Sequence, residues 1–309
     1  MLKDNKTIDE ISLLEMLQAF WKDKVIIFCI TLFFAISSVF YALSLDNLYK
    51  SEVILEVSST GSGLGTMASR FGGIASLAGV GNFPSVPRDK SSLAYEMIKS
   101  KDIVKSIYKY DGVSEGIVAI DYFDPVTQEI NYDKDIYDNN TDTWVREVEY
   151  PYKKEPSYLE IYKILNEGIM SVYKDSKTGF IKLSISHESP IFAKELIEKI
   201  IYEVNESSRK DDLTNSSSSL DYLNDQLLRN PVNDMKMSIN DLIKSNMEIK
   251  MLANIKEHYL IKPIDGPHIP ELKYAPTRST ICIVITIFGF VISLAFSFLK
   301  TFFYPWKKR

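Results

Sequence analysis

Two uncharged hydrophobic stretches, one towards each end of the sequence, constrain this chain most strongly. Val25–Leu45 and Ile281–Leu299 contain no charged residue. At about 1.5 Å per residue, either stretch forms a helix of roughly 30 Å, the thickness of the hydrocarbon core of a bilayer. We therefore predict two transmembrane helices. A cleaved signal peptide is the alternative for the first stretch, although its apolar core is longer than that of a usual signal peptide.

Basic residues beside the two stretches predict their orientation. Cytoplasmic flanks of membrane helices are enriched in lysine and arginine. Eight basic residues lie on one pair of flanks and four on the other: Lys3, Lys6, Lys22, Lys24, Lys300, Lys307, Lys308 and Arg309 against Lys50, Lys262, Lys273 and Arg278. This asymmetry predicts that both termini are cytoplasmic. The predicted division is a cytoplasmic segment 1–24, a span 25–45, a periplasmic domain 46–278, a span 279–299 and a tail 300–309.

Composition limits how the domain between the spans is stabilised and what it binds. The only two cysteines, Cys29 and Cys282, lie inside the predicted spans, so the exported domain contains no disulfide. The net charge of −5 argues against a nucleic-acid partner.

Periodicity predicts both strands and helices in this domain, and therefore an α+β fold. Leu48–Val57 and Phe180–Ser186 alternate apolar and polar residues, which indicates two strands. Asp89–Tyr110 has helical spacing. Ile8–Lys24 is predicted either as an amphipathic helix at the inner membrane face or as an extension of the first span.

The strongest helical signal begins with a serine cap and a proline at Ser189-Pro190 and continues to Arg229. Unbroken, it spans roughly 60 Å, which is longer than a compact domain is wide. Asn230-Pro231 interrupts it, and a second helix follows as far as Ile255. We expect this pair to form a stalk whose apolar seam is buried against neighbouring subunits, so that the protein is a homo-oligomer.

Residues 61–81 hold seven of the thirteen glycines but contain no GxxxxGK[S/T] motif. A flexible or loosely packed loop is favoured over a nucleotide site.

Asp111–Glu149 has eleven acidic residues against Lys134 and Arg146. Four aspartates hint at a calcium loop, but the glycine and the terminal glutamate that such a loop needs are missing, which favours a solvated acidic surface: Asp133, Asp135, Asp138 and Asp142. The interleaved aromatic residues either stack on sugar rings or, as we favour, pack within strands: Tyr122, Phe123, Tyr132, Tyr137, Trp144, Tyr150 and Tyr152.

A proline-rich segment leads into the second span and contains Pro263, Pro267, Pro270 and Pro276. Proline fixes φ and lacks an N–H donor, so we expect this segment to be extended and stiff rather than helical. It is our candidate for coupling the outer domain to the second span. Alternatively, the prolines only end the preceding helix and prevent edge pairing.

Several stretches resemble the Wzz-type chain-length determinants, or polysaccharide co-polymerases. They are IDEISLLEMLQAFWKDK (8–24), LYKSEVILEV (48–57), HESPIFAKELIEKII (187–201), LANIKEHYLIKPIDGPHIPELKYAP (252–276) and the second span. The resemblance implies a bell-shaped oligomer in the bacterial inner membrane that faces the periplasm. It would set the modal length of O-antigen or a related surface polysaccharide by acting on the integral membrane polymerase. Direct contact with the growing glycan is left open.

We predict no catalytic activity and no cofactor. The three histidines, His187, His258 and His268, are scattered, and neither a metal-ligand cluster nor a nucleophile elbow is visible in the sequence. The alternatives are a membrane adaptor for polysaccharide export that works with a separate kinase or transporter, and a two-span periplasmic ligand sensor.

Overall fold

The computed structural model describes residues 20–58, 90–229 and 233–303. The glycine-rich stretch 61–81 and most of the predicted helix Ile8–Lys24 lie outside these residues. The chain divides into two compact units, one containing the two predicted spans and the other containing residues 48–272.

Helices and strands alternate irregularly along the chain. In order, the elements are α1 (Lys24–Leu43), β1 (Tyr49–Val57), α2 (Lys90–Ile98), α3 (Lys101–Ile107), α4 (Val113–Val118), β2 (Ile120–Asp124), β3 (Glu129–Tyr132), β4 (Tyr137–Asp138), β5 (Thr143–Trp144), α5 (Tyr158–Ile164, followed by a π-helical turn, Leu165–Ile169), β6 (Met170–Lys174), β7 (Ile181–His187), α6 (Pro190–Arg229), α7 (Asn233–Ile255), β8 (Ile261–Asp265) and α8 (Arg278–Phe303). This mixture confirms the predicted α+β class.

The first unit is built on α1 and α8, which pack against each other. The helices Lys24–Leu43 and Arg278–Lys300 are long and apolar enough to cross a membrane. Gly289 allows their close approach, because a Cβ atom at this position would lie 2.4 Å from Cβ of Phe34. Where α1 begins, Asp23 accepts hydrogen bonds from Lys300 Nζ at 2.7 Å and from Ser297 Oγ at 3.2 Å.

The second unit is organised around an antiparallel sheet with strand order β6-β7-β1-β8. β1 is an inner strand and pairs Val53 with Leu183 and Leu55 with Ile181. All four of these side chains are buried, as the alternation in both strands predicts. The two predicted strands are therefore confirmed, whereas β6 and β8 were not predicted.

The first half of α6 covers this sheet. Ser189 Oγ accepts a hydrogen bond from the backbone N–H of Phe192 at 3.2 Å, and Pro190 is the first helical residue, as predicted. The apolar stripe of α6 is buried in the core with residues of α3: Phe192, Ala193, Leu196, Ile197, Ile200, Ile201 and Val204 with Ile103, Val104 and Ile107.

The second half of α6 packs against α7, which buries Ile239, Ile249 and Ala253. Part of the seam is therefore buried within the chain, as at Leu220, and burial of the rest against other subunits stays a prediction. Among the side chains of α7 that the structure describes, three methionines are exposed: Met237, Met247 and Met251.

The helical signal over Asp89–Tyr110 contains two helices rather than one. Ser100 ends the first stretch and caps α3 by accepting a hydrogen bond from the N–H of Ile103. The acidic region forms two small hairpins, β2-β3 and β4-β5.

Candidate functional site

The four prolines of the candidate coupling segment do not form a cluster. Pro263 lies within β8, while Pro270 is buried in the irregular stretch that follows. Pro276 follows a cis peptide bond and stands just before α8. No residue between Gly266 and Thr277 is helical, which agrees with the expectation of a non-helical lead-in.

β8 attaches the beginning of this segment to the sheet. It pairs with β1 through Val57 with Ile261 and Leu55 with Pro263. β8 is an edge strand. Such a strand tolerates Pro263, because the N–H that proline lacks is not needed by a strand on the open side of the sheet. The first five residues, Ile261–Asp265, are thus the edge strand of the sheet, and both interpretations of the prolines, coupling and prevention of further edge pairing, stay predictions.

Asn205 of α6 clamps the residues that enter β8. Its Oδ1 accepts from the backbone N–H groups of Leu260, at 2.7 Å, and Ile261, at 3.0 Å. Its Nδ2 donates to the carbonyl oxygens of Ile201, at 3.0 Å, and Ile261, at 2.9 Å. The side chain is buried and uses both its donors and both acceptor positions. The start of the coupling segment is therefore fixed to the long helix.

Two further contacts hold the turn between α7 and β8. Arg209 Nη2 donates to the carbonyl oxygens of Lys256, at 2.6 Å, and Glu257, at 2.8 Å, just beyond the end of α7. The Tyr259 hydroxyl donates to Asp212 at 2.5 Å. Burial, together with this bond, raises the pKa of Tyr259.

Contacts continue along the rest of the segment. Ser51 Oγ in β1 donates to the carbonyl oxygen of His268 at 2.8 Å. In the unit that contains the spans, Asn47 Oδ1 accepts from Lys273 Nζ at 3.2 Å and Arg278 Nη2 at 3.3 Å. Arg278 also donates to the carbonyl oxygen of Leu45 at 3.2 Å, which joins the C-terminal end of α1 to the N-terminal end of α8.

Part of the chain, including the strand β1 that pairs with β8, is similar to a known protein family. A model of the Wzz family, described as chain length determinant protein, matches residues 9–109, a range that includes α1 and β1. The resemblance to the Wzz family is confirmed. One solved structure, a full-length bacterial polysaccharide co-polymerase, is similar at a TM-score of 0.46 and 11% sequence identity, covering 96% of this chain and 100% of that one. No curated protein sequence matches the chain.

Three other stretches that suggested the Wzz resemblance lie outside the matched range: residues 187–201, residues 252–276 and the second span. Asn205 joins the first two of these stretches, because its Nδ2 donates to the carbonyl oxygens of Ile201 and Ile261. Sequence reasoning identified the prolines but missed Asn205, Arg209 and Ser51. Nothing in their local sequence distinguishes them from other polar residues, since their partners are distant along the chain.

The aromatic residues of the acidic region fall into two groups. Tyr137 packs against Tyr132 and Trp144, with ring centroids 5.5 and 5.1 Å away, which agrees with the favoured role in strand packing. Tyr150, by contrast, is 97% exposed. Its loop is closed by buried Arg146, which pairs with Glu160 at 2.6 Å and donates to the carbonyl oxygens of residues 153 and 154.

The aspartates of this region are used in turns. Asp138 accepts hydrogen bonds from Asn140 and Thr141, and Asp142 accepts one from the Tyr137 hydroxyl. Over the part of the chain that the structure describes, no group of three or more His, Cys, Asp or Glu residues could hold a metal ion. The absence of catalytic activity stays a prediction.

His187 is a structural residue at the junction of β7 and α6. Its Nδ1 accepts from the N–H of Ser189 at 3.1 Å, so its Nε2 donates to the carbonyl oxygen of Gly116 at 2.8 Å. Burial lowers the pKa of His187 to about 4. The neutral ring thereby ties α4 to the start of the long helix.

Proposed function

We propose that this protein is an inner-membrane polysaccharide co-polymerase that regulates the modal chain length of O-antigen or a related surface polysaccharide. The match of residues 9–109 to the Wzz family carries this proposal and supports chain-length regulation in general. The two helices that can cross a membrane fit the same role. In this proposal the protein forms a homo-oligomer, presents residues 48–272 to the periplasm and acts on the integral membrane polymerase.

Deleting the gene tests this function directly. A gel of the surface polysaccharide should lose its modal band and show a broad distribution of lengths, and the intact gene supplied in trans should restore the band. An unchanged ladder in the deletion strain contradicts the proposal. A polymerase gene beside this one supports chain-length control, whereas a kinase gene in that place favours the export-adaptor alternative.

Within this function, the coupling segment is proposed to transmit the geometry of the outer domain to the second span. It is the covalent connection between β8 and α8. The contacts of Asn205 and Ser51 support the proposal, because they attach the segment to the long helix and to the sheet. A stiff connection of this kind moves with the elements that hold it.

The triple variant Pro267→Ala, Pro270→Ala and Pro276→Ala tests the coupling. It spares Pro263, whose strand pairing is part of the sheet. We expect normal expression and oligomer mass together with a changed or lost modal length. Pro125→Ala, in the exposed turn of the β2-β3 hairpin, is the matched control and should leave the ladder unchanged. A wild-type ladder in the triple variant means that the segment is only a connector.

A further inference from the structure

A cleft of about 550 Å³ lies beside the first half of α6, in the unit formed by residues 48–272. One wall is a single face of α6, where Glu198, Tyr202 and Glu206 follow one another at four-residue intervals. The opposite side includes Asn254 at the end of α7 and Pro267 of the coupling segment. This volume lies in the range of about 300–1,000 Å³ that small-molecule sites occupy.

The charges that line the cleft argue against an anionic ligand. It has two cationic side chains: Arg209 donates to Glu206 and to two backbone carbonyls while its buried Nε has no partner among the described residues, and Lys256 donates to the uncharged Ser58 hydroxyl at 3.2 Å. Three glutamates also line the cleft, of which Glu198 pairs with Lys194 at 3.2 Å and Glu206 pairs with Arg209: Glu198, Glu206 and Glu257. The lining thus has one more carboxylate than it has cationic side chains, which disfavours phosphate or carboxylate groups, whereas uncharged hydroxyl groups can donate to the carboxylates.

Tyr202 adds an aromatic surface to these hydrogen-bonding groups. Although it belongs to the helix that carries the core, its side chain is 57% exposed and lines the cleft. Ile255, also exposed, extends the apolar part of the lining. An aromatic ring beside carboxylate and amide groups matches a sugar, which has an apolar ring face and a rim of hydroxyl groups.

We infer that this cleft binds a short stretch of uncharged saccharide, with Tyr202 stacking on a sugar ring. The inference rests on the proposed function, because it names the glycan as a ligand of the same protein. Pro263 and Pro267 line the cleft together with α6. A bound saccharide therefore contacts both the long helix and the coupling segment, the two parts that Asn205 holds together.

The test uses full-length protein in lipid nanodiscs and, as the probe, lipid-free polysaccharide fragments released by mild acid from the source bacterium. Saturation-transfer NMR at fragment concentrations up to about 10 mM detects weak binding. We expect Tyr202→Ala to weaken binding roughly fivefold to tenfold and Tyr202→Phe to retain it, because stacking needs the ring and not the hydroxyl.

Tyr222→Ala is the matched control, since Tyr222 is 64% exposed on the same helix and does not line the cleft. It should bind the fragments like the wild type. Absence of wild-type binding, or equal binding by Tyr202→Ala, overturns the inference. So does a changed oligomer mass for Tyr202→Ala with unchanged saccharide binding, which would assign the cleft to a neighbouring subunit. The ladder of the deletion strain tests the chain-length function separately.

Discussion

At the scale of single residues, His187 predicts how stability depends on pH. Its folded-state pKa of about 4 lies below the unfolded value of about 6.5, so protonation favours the unfolded chain. The contribution of the neutral His187 ring to stability is fully present above about pH 6.5 and is lost as the pH falls towards 4. Between pH 7.5 and 5 we expect a loss of about 2 kcal/mol in the free energy of unfolding, seen as a lower Tm in detergent.

Two histidine variants isolate this effect. His187→Asn should be less stable at pH 7.5 and should lack this component of the pH dependence. His268→Asn removes an exposed histidine and should keep it. Identical pH profiles for the wild type and His187→Asn contradict the assignment.

Replacing the buried Asn205 side chain should lower the free energy of unfolding strongly. Asn205→Ala removes four hydrogen bonds and leaves the backbone N–H groups of Leu260 and Ile261 buried without a partner. We expect a destabilisation of about 3 kcal/mol, measured by denaturant unfolding. Asn254→Ala, which loses one exposed bond to the carbonyl of Lys250, should cost less than about 0.5 kcal/mol. Equal losses for the two variants would show that the clamp contributes little.

At the scale of elements, the sequence predicted the strands and helices whose apolar residues repeat over a long stretch. β1, β7 and α6 each carry an apolar period that repeats several times, and α6 also has a cap and a proline at its start. β8 was missed because it is a short strand containing a proline, and its partner β1 lies some 200 residues earlier. Strand pairing over that distance leaves no trace in local periodicity.

The exposed face of α7 predicts where copies of the chain meet. Met247 and Met251 are four residues apart and exposed, with no covering element among the described residues. If this face is a subunit contact, Met247→Lys with Met251→Lys should lower the oligomer mass measured by light scattering, because two charges would be buried in the interface. Met247→Leu with Met251→Leu keeps the surface apolar and should assemble normally. An unchanged mass for the lysine variant places the contact elsewhere.

At the scale of the whole molecule, the sequence indicated the coupling segment but not the way it is held. Four prolines in a short stretch are visible without a structure. The bonds from Asn205 to Leu260 and Ile261 and from Ser51 to His268 are not, because they join residues 55 to 217 positions apart. The same holds for the cleft, whose walls come from α6, from the end of α7 and from the coupling segment. Local propensity cannot show which polar side chains converge when chain segments fold together.

The orientation of the chain in the membrane is the prediction on which the proposed function depends most. Basic residues are more frequent before α1 and after α8, which predicts cytoplasmic termini and a periplasmic domain. Fusions of alkaline phosphatase after Leu45 and at Tyr150 should therefore be active. A fusion of green fluorescent protein after Arg309 should fluoresce. Tyr150 is a suitable insertion point because it is almost fully exposed on a loop closed by Arg146. Each site should be tested with both reporters, since an inactive fusion alone does not separate location from misfolding. Fluorescence at Tyr150 would place the folded domain in the cytoplasm, where it could not meet a periplasmic glycan.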